Sequence, residues 1–161
     1  MKRYAFTMIE LIFVIVVLGI LAAVAIPKMG GTMVSAQIAS AKGDVSAIRA
    51  SIASARQKML VRGKNKYVTA LDSGVASNTV GVKIFDQNGT DAEVTAKKAI
   101  KILTYPVYTK NNGWMKTGTN AYTFSIDGTP VPFTYDKDRG LFDCVRGTSN
   151  EKQKKCSKIT Q

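Results

Sequence analysis

Two groups of residues in this chain have types and spacings that could do chemistry. One is a lone carboxylate, Glu10, near the front of an apolar run that begins F-T-M-I-E-L. The other is a pair of thiols, Cys144 and Cys156, bracketing the polar stretch V-R-G-T-S-N-E-K-Q-K-K. Little else offers a reaction. The chain has no histidine, which removes a histidine-based triad and a histidine metal site. Its serines lack a base to activate them, and no phosphate-binding loop, nucleophile elbow or pair of catalytic acids is present. The expectation is a protein that is not an enzyme, with no catalytic residue, no metal and no cofactor.

Glu10 poses the sharper question. Phe6 to Ile26 is apolar apart from Thr7, Glu10 and the neutral Gly19, and as a helix it spans roughly 30 Å, about one hydrocarbon core. Lys2 and Arg3 precede it and stay cytoplasmic by the positive-inside bias, so the chain beyond Pro27 is exported. An acid at that depth costs about 2 to 3 kcal/mol or more unless it is paired or reaches the interface. Lys2 or Arg3 could reach back to it. Alternatively, a cut before Phe6 frees an α-amino group four residues from Glu10, about one helical turn. Between two helices, that amine on one subunit and the carboxylate on its neighbour would fix the axial register, because hydrocarbon barely screens them.

A basic leader, a small residue, then F-T-M-I-E-L and an apolar run resembles the class III signal of type IV pilins and type II secretion pseudopilins. The resemblance covers about the first 30 residues. It implies that prepilin peptidase cuts between Ala5 and Phe6 and methylates the new Phe6 amino group, and that Glu10 sets register in a homo- or hetero-oligomeric filament. It further implies an inner-membrane assembly platform, a separate ATPase, contact with inner-membrane lipid, and a periplasmic head that ends in a pseudopilus or a surface pilus. Leaders of this family usually end in Gly, whereas this one ends in Ala5. Pro27, followed by Gly30 and Gly31, falls where pilin helices are often kinked or melted in the filament, and loosening is expected at residues 27 to 31.

Two other readings of the N-terminus stay open. Ala23-Val24-Ala25 fits an ordinary secretory cleavage site, which would release a soluble, basic binding protein after Ala25. A membrane anchor that stays whole and never assembles is the other. A plain signal gains nothing from Glu10, however, and the helical pattern does not stop at residue 25.

The elements that must position these groups follow from periodicity. Val34, Ile38, Ala41, Val45, Ile48, Ile52, Ala55 and Met59 alternate in steps of four and three, one stripe of an amphipathic helix. The helix is expected to run from Phe6 to about Val61 and stop at Arg62-Gly63. Residues 64 to 81 read as an irregular connection, and Ala92 to Leu103 as a short helix. Strands are expected at Gly113–Thr117, Ala121–Ile126, Val131–Tyr135 and Leu141–Val145, separated by turn residues at 118–120, 127–129 and 136–140. Short spacers favour an antiparallel meander. The fold class is therefore α+β, a long helix on a small antiparallel sheet, as in the pilin architecture. Its expected divisions are a leader (1–5), a transmembrane and assembly helix (6–27), an amphipathic continuation (28–62) and a β-rich head (63–161).

Cys144 and Cys156 could form one loop-closing bridge or remain two buried thiols; export favours the bridge. The bracketed segment resembles the C-terminal disulfide loop of many pilins, and it reads as a polar loop unable to order itself by burial. With 23 Lys and Arg against 11 Asp and Glu, the chain carries a formal charge of +12. Lys152, Lys154, Lys155 and Lys158 form a candidate contact for DNA or an anionic surface, with a plain solvated surface as the alternative. Asp136-x-Asp138-x-Gly140 faintly resembles a calcium loop but lacks the closing acid, since Gly147 stands there, and a type I turn is the simpler reading. Asn88-Gly89-Thr90 matches a glycan acceptor with Asp86 two residues ahead, although Asn-Gly also simply makes a turn. The N-terminus does not separate a secretion pseudopilin from an adhesive, motility or DNA-uptake pilin. The small head favours the former and the cysteine loop the latter.

Overall fold

The structure is a computed structural model that describes residues 7–89, 99–145 and 149–160, with residues 28 and 29 described by backbone alone. The chain falls into two compact units, Met1–Ala36 and Gln37–Gln161. The architecture is α+β and pilin-like: a long N-terminal helix, then a head of small antiparallel sheets and a C-terminal helix.

Helix α1 spans Met8–Val61. Its start is an N-cap, with the Thr7 hydroxyl accepting a hydrogen bond of 3.3 Å from the backbone N–H of Glu10. Thr7 to Glu10 is thus the T-x-x-E spacing of a capping box. The expected loosening at residues 27 to 31 is not seen, and the helix continues through Pro27, Gly30 and Gly31. Proline removes a single backbone bond, and the turns on either side retain theirs. The helix ends as its glycine predicts. Gly63 takes φ +73°, while Lys64 N–H reaches the Met59 carbonyl and Gly63 N–H the Leu60 carbonyl, both at 2.9 Å. These two bonds make a Schellman motif.

In the first unit the described apolar residues up to Met33 are exposed along the helix, and Val34 is half-buried. In the second, the predicted stripe is the buried one: Ala41, Val45, Ile48, Ile52 and Ala55 are essentially inaccessible. The head's main sheet is a four-stranded antiparallel meander, β5 (Trp114–Gly118), β6 (Ala121–Ile126), β7 (Thr129–Asp136) and β8 (Leu141–Cys144), in sequence order. Period-two alternation sends Tyr122, Phe124 and Ile126 of β6 and Val131, Phe133 and Tyr135 of β7 inward. Between β6 and β7, Asp127 and Gly128 both take positive φ (50° and 71°), the requirement of a type I′ hairpin.

Strand β7 contains Pro130 and Pro132 although it lies between two partners. Register explains this. Tyr135 donates to Asn120, so the odd-numbered residues of β7 face β6; Pro132 accepts from Val145, so the even-numbered ones face β8. Pro132 takes a bond from Val145 but has no N–H to return one, so the ladder with β8 closes at the pair Phe133–Cys144, and the prolines lie where β7 runs past it.

Two small two-stranded sheets complete the head. Strand β1 (Lys83–Ile84) pairs with β4 (Val107–Tyr108), and β2 (Gln87–Asn88) with β3 (Ile100–Lys101). The helix read over Ala92–Leu103 is therefore corrected in its described part: Ile100 and Ile102 are buried around an exposed Lys101, a period of two rather than 3.6. Residues 92–98 lie outside the described residues. A second correction concerns the C-terminus. The supposed loop between the cysteines contains most of helix α2 (Asn150–Thr160), which turns Cys156 and Ile159 inward.

An aromatic cluster fills the centre of the head. Phe85, Trp114, Tyr122, Phe124, Phe133 and Phe142 meet at centroid distances between 4.6 and 6.0 Å, mostly edge-to-face or tilted. Phe85 is fully buried yet sits at φ 55°, a left-handed backbone that a bulky residue adopts only under constraint. Burying its ring is worth about 2 to 3 kcal/mol, which offsets a strain of about 1 to 3 kcal/mol.

Candidate functional site: the N-terminal segment and its head

Of the expected N-terminal site residues, Ala5 and Phe6 lie outside the described residues, as do Lys2 and Arg3. Glu10 occupies the first turn of α1, exposed among Met8, Ile9, Leu11 and Ile12. Its carboxylate forms no ion pair among the described residues. In that turn it also complements the positive end of the helix dipole. The segment Met8–Pro27 is long and apolar enough to cross a membrane, with a mean hydropathy of 3.1, and none of it is buried in the fold. A stretch that apolar and that bare needs lipid or other copies of itself around it.

The sequence offered one signal at this site that the reading above did not use. Thr7 fixes where the helix begins, and a hydroxyl three residues ahead of an acid is a recognisable cap. Glu10 therefore stands at a capping position as well as at the depth where a charge is costly.

The head is tied together by polar bonds between elements distant in sequence. Trp114 donates its indole N–H to Asp44 at 2.8 Å, joining β5 to α1 within the second unit. Burial raises the Asp44 carboxyl above its ordinary range, opposed by that hydrogen bond and by the Lys110 charge. Arg49 donates to the Phe142 carbonyl and to the Asp143 carboxylate, each at 3.0 Å. Deepest of all is Asp72. Lys116 Nζ lies 2.7 Å from its Oδ1, Tyr122 donates its hydroxyl to Oδ2, and Gly74 donates its backbone N–H to Oδ1. Burial and the Asp72 charge push the Tyr122 hydroxyl far above the ordinary tyrosine value, so it remains a donor. Tyr135 is pushed up to about 12, chiefly by burial, and donates to the Val68 carbonyl. No local sequence signal announces the Asp72–Lys116 pair, whose members are 44 residues apart.

Cys144 and Cys156 are joined in a disulfide, with their Cα atoms 5.9 Å apart. It pins α2 to the end of β8. Lys155 does the rest from within α2: its ammonium pairs with Glu151 at 2.8 Å and donates to Thr129 Oγ1 and the Ile126 carbonyl. This lowers the Glu151 carboxyl below its ordinary value. Lys155 is thus a structural tether, while Lys154 and Lys158 remain exposed and Lys152 is half-exposed.

The other candidate sites have local duties. Asn88 uses its side-chain oxygen to accept from the Thr69 hydroxyl and the Ala70 N–H; Thr90 lies outside the described residues. Asp136 spends one carboxylate oxygen on the N–H groups of Asp138 and Arg139, and Gly140 donates back to the Asp136 carbonyl. That is a self-contained turn rather than a cation cage. Gly147 lies outside the described residues.

Comparison with known proteins agrees with the N-terminal chemistry. The family described as the prokaryotic N-terminal methylation motif matches residues 1–26. This is the class III prepilin signal, and it supports a pilin-like subunit processed by prepilin peptidase and assembled into pilus-like filaments. No curated protein and no solved structure matches the chain.

Proposed function

We propose that this chain is a structural filament subunit without enzymatic activity, of the type II secretion pseudopilin kind, acting in protein export. Prepilin peptidase cuts between Ala5 and Phe6 and methylates the Phe6 amine. The subunit then leaves the inner membrane by packing its apolar helix among those of its neighbours, with Glu10 meeting the Phe6 amine of an adjacent copy. The assembly platform and the ATPase are separate proteins. The observation that carries this reading is the methylation motif over residues 1–26, joined to a bare apolar helix whose one charge is Glu10. The compact head, without an adhesive insertion evident in its sequence, supports a periplasmic pseudopilus. The Cys144–Cys156 bridge next to the C-terminus favours a second reading, a type IV pilin on the cell surface.

Mass spectrometry of the native polypeptide tests the core of this. A mature chain starting at methylated Phe6 is expected. A start at Ile26 would identify a secreted module, and an intact Met1 a plain anchor; either result defeats the filament reading. Glu10→Lys should leave the head folded and abolish filaments, and normal filaments from that variant remove Glu10 from the mechanism. Scoring secretion, transformation and surface fibres side by side in a deletion strain separates the export reading from the pilus reading.

A further inference from the structure

The chain contains two Asn-Gly pairs, Asn88-Gly89 and Asn112-Gly113. In such a pair the backbone nitrogen of the glycine can attack the side-chain carbon of the asparagine, because no Cβ shields it and the backbone turns freely. The fold treats the two pairs in opposite ways.

Asn88 is held. It lies in β2, opposite Ile100 of β3. Its Oδ1 accepts from the Thr69 hydroxyl at 2.9 Å and from the Ala70 N–H at 3.0 Å. Those two bonds fix the side chain, and swinging its carbon onto the Gly89 nitrogen forfeits both. At the usual net worth of a hydrogen bond, that loss slows the approach about tenfold or more.

Asn112 is free. It is exposed, in the turn between β4 and β5, outside every ladder. Neither its side chain nor the Gly113 N–H has a hydrogen-bond partner among the described residues. Gly113 uses its carbonyl alone, which accepts from the Ser125 N–H at 3.0 Å. The turn is closed by the Lys110 N–H, which donates to the Trp114 carbonyl at 2.9 Å. The Lys110 stem occupies the space that a side chain at 113 would need, with Cε 2.5 Å from where a Cβ would stand. Glycine is therefore the residue this turn holds with least disturbance, and glycine is also what makes the pair reactive.

We propose that Asn112 is a self-modification site, at which the chain converts its own amide to a carboxylate. The Gly113 nitrogen bonds to Asn112 Cγ and gives up its proton. The bond from Cγ to Nδ2 breaks, ammonia leaves, and a cyclic imide remains. Water, the one co-reactant, opens that ring at either carbonyl. One product is aspartate; the other is isoaspartate, in which the main chain runs through Cγ. The isoaspartyl form lengthens the turn that the Lys110–Trp114 bond closes. That turn leads straight into Trp114, whose indole holds Asp44 of α1. Modification thus loosens the bond between β5 and the second half of α1. The site belongs to the head and does not depend on how the N-terminus is processed.

Ageing the full chain in a non-ionic detergent at pH 8 and 37 °C tests this, with a second sample unfolded in urea. Brief tryptic digestion at mildly acidic pH then releases residues 111–116 and 84–97 as separate peptides. Mass spectrometry counts the amide-to-acid exchange in each, and isoaspartate separates from aspartate by chromatography. In the folded chain, peptide 111–116 should convert at least about tenfold faster than 84–97, the factor set by the two bonds on Asn88. In urea the two should convert at comparable rates, because the fold no longer protects Asn88. Asn112→Gln, whose larger ring closes far more slowly, should leave peptide 111–116 unaltered. The aged unaltered chain should melt below the fresh one, and Asn112→Gln should melt alike before and after ageing. The proposal is overturned if peptide 111–116 stays intact in the folded chain, if peptide 84–97 keeps pace with it there, or if the aged chain melts as the fresh one does.

Discussion

Removing Asp72 should unfasten the head, and by an amount the structure sets. The Asp72 side chain is 2% exposed and that of Lys116 10%. In Asp72→Ala, which removes the carboxylate without adding bulk, the Lys116 ammonium stays in place without its counter-charge, which costs about 3 to 5 kcal/mol. The Tyr122 hydroxyl and the Gly74 N–H lose their acceptor as well, adding about 1 kcal/mol or more. A total near 5 kcal/mol is expected. The head unit Gln37–Gln161 should unfold with an entropy of about 0.26 kcal/mol/K, at about 2.1 cal/mol/K per residue. The midpoint should therefore fall by roughly 15 to 20 °C. Lys116→Met in the same chain removes the stranded charge and should return at least about 2 kcal/mol. Thermal unfolding followed by circular dichroism, with urea titrations for free energies, reads both variants. A loss below about 2 kcal/mol in the single variant, or no recovery in the double, would show that the pair is solvated and that the burial argument fails.

Three further outcomes are expected. Cys144→Ser with Cys156→Ser should cost about 3 kcal/mol, from a closed loop of 12 residues' separation, and amide exchange should rise first in α2; unchanged protection there would mean that Lys155 alone holds the helix. Gly140→Ala should destabilise the head by about 1 to 3 kcal/mol through the Tyr67 ring and the left-handed backbone, with a melting curve as readout and an unchanged midpoint as refutation. For Asp44→Asn the sign follows from its raised carboxyl. The folded state holds that proton more tightly than the unfolded state, so this group loses stability as pH rises from its ordinary value through its raised one. The variant should gain on the unaltered chain across that window and keep the gain at neutral pH. Glu151, shifted the other way, is the same in both chains and cancels. A midpoint difference that stays flat from acid to neutral pH would refute the assignment.

Which parts were legible depends on how local the cause was. The stripe from Ala41 to Ala55 and the meander from β5 to β8 were readable because burial imposes a period, and Asp127-Gly128 and Gly63 mark turns only they fit well. Helix α2 was hidden because its inward face has just Cys156 and Ile159, too few for a period to register. Its end signals were nonetheless present, with Glu151 in the first turn and Lys158 in the last. The two-residue strands β1 to β4 fall below any periodicity. At the N-terminus the methylation motif was plain because one short segment carries all of it. The Asp72 network and the Arg56–Tyr67–Gly140 stack were invisible because they join residues that only the fold brings together.

The two prolines of β7 also bear on what the head refuses to do. Where β7 overhangs the end of β8, positions 130 and 132 turn no amide toward a newcomer, and Lys155 and Glu151 of α2 already engage Thr129 beside them. An incoming strand finds no donors to zip against, so sideways growth of one sheet into the next is blocked at that margin. Neighbouring heads can therefore crowd against that margin without adding a strand to β7.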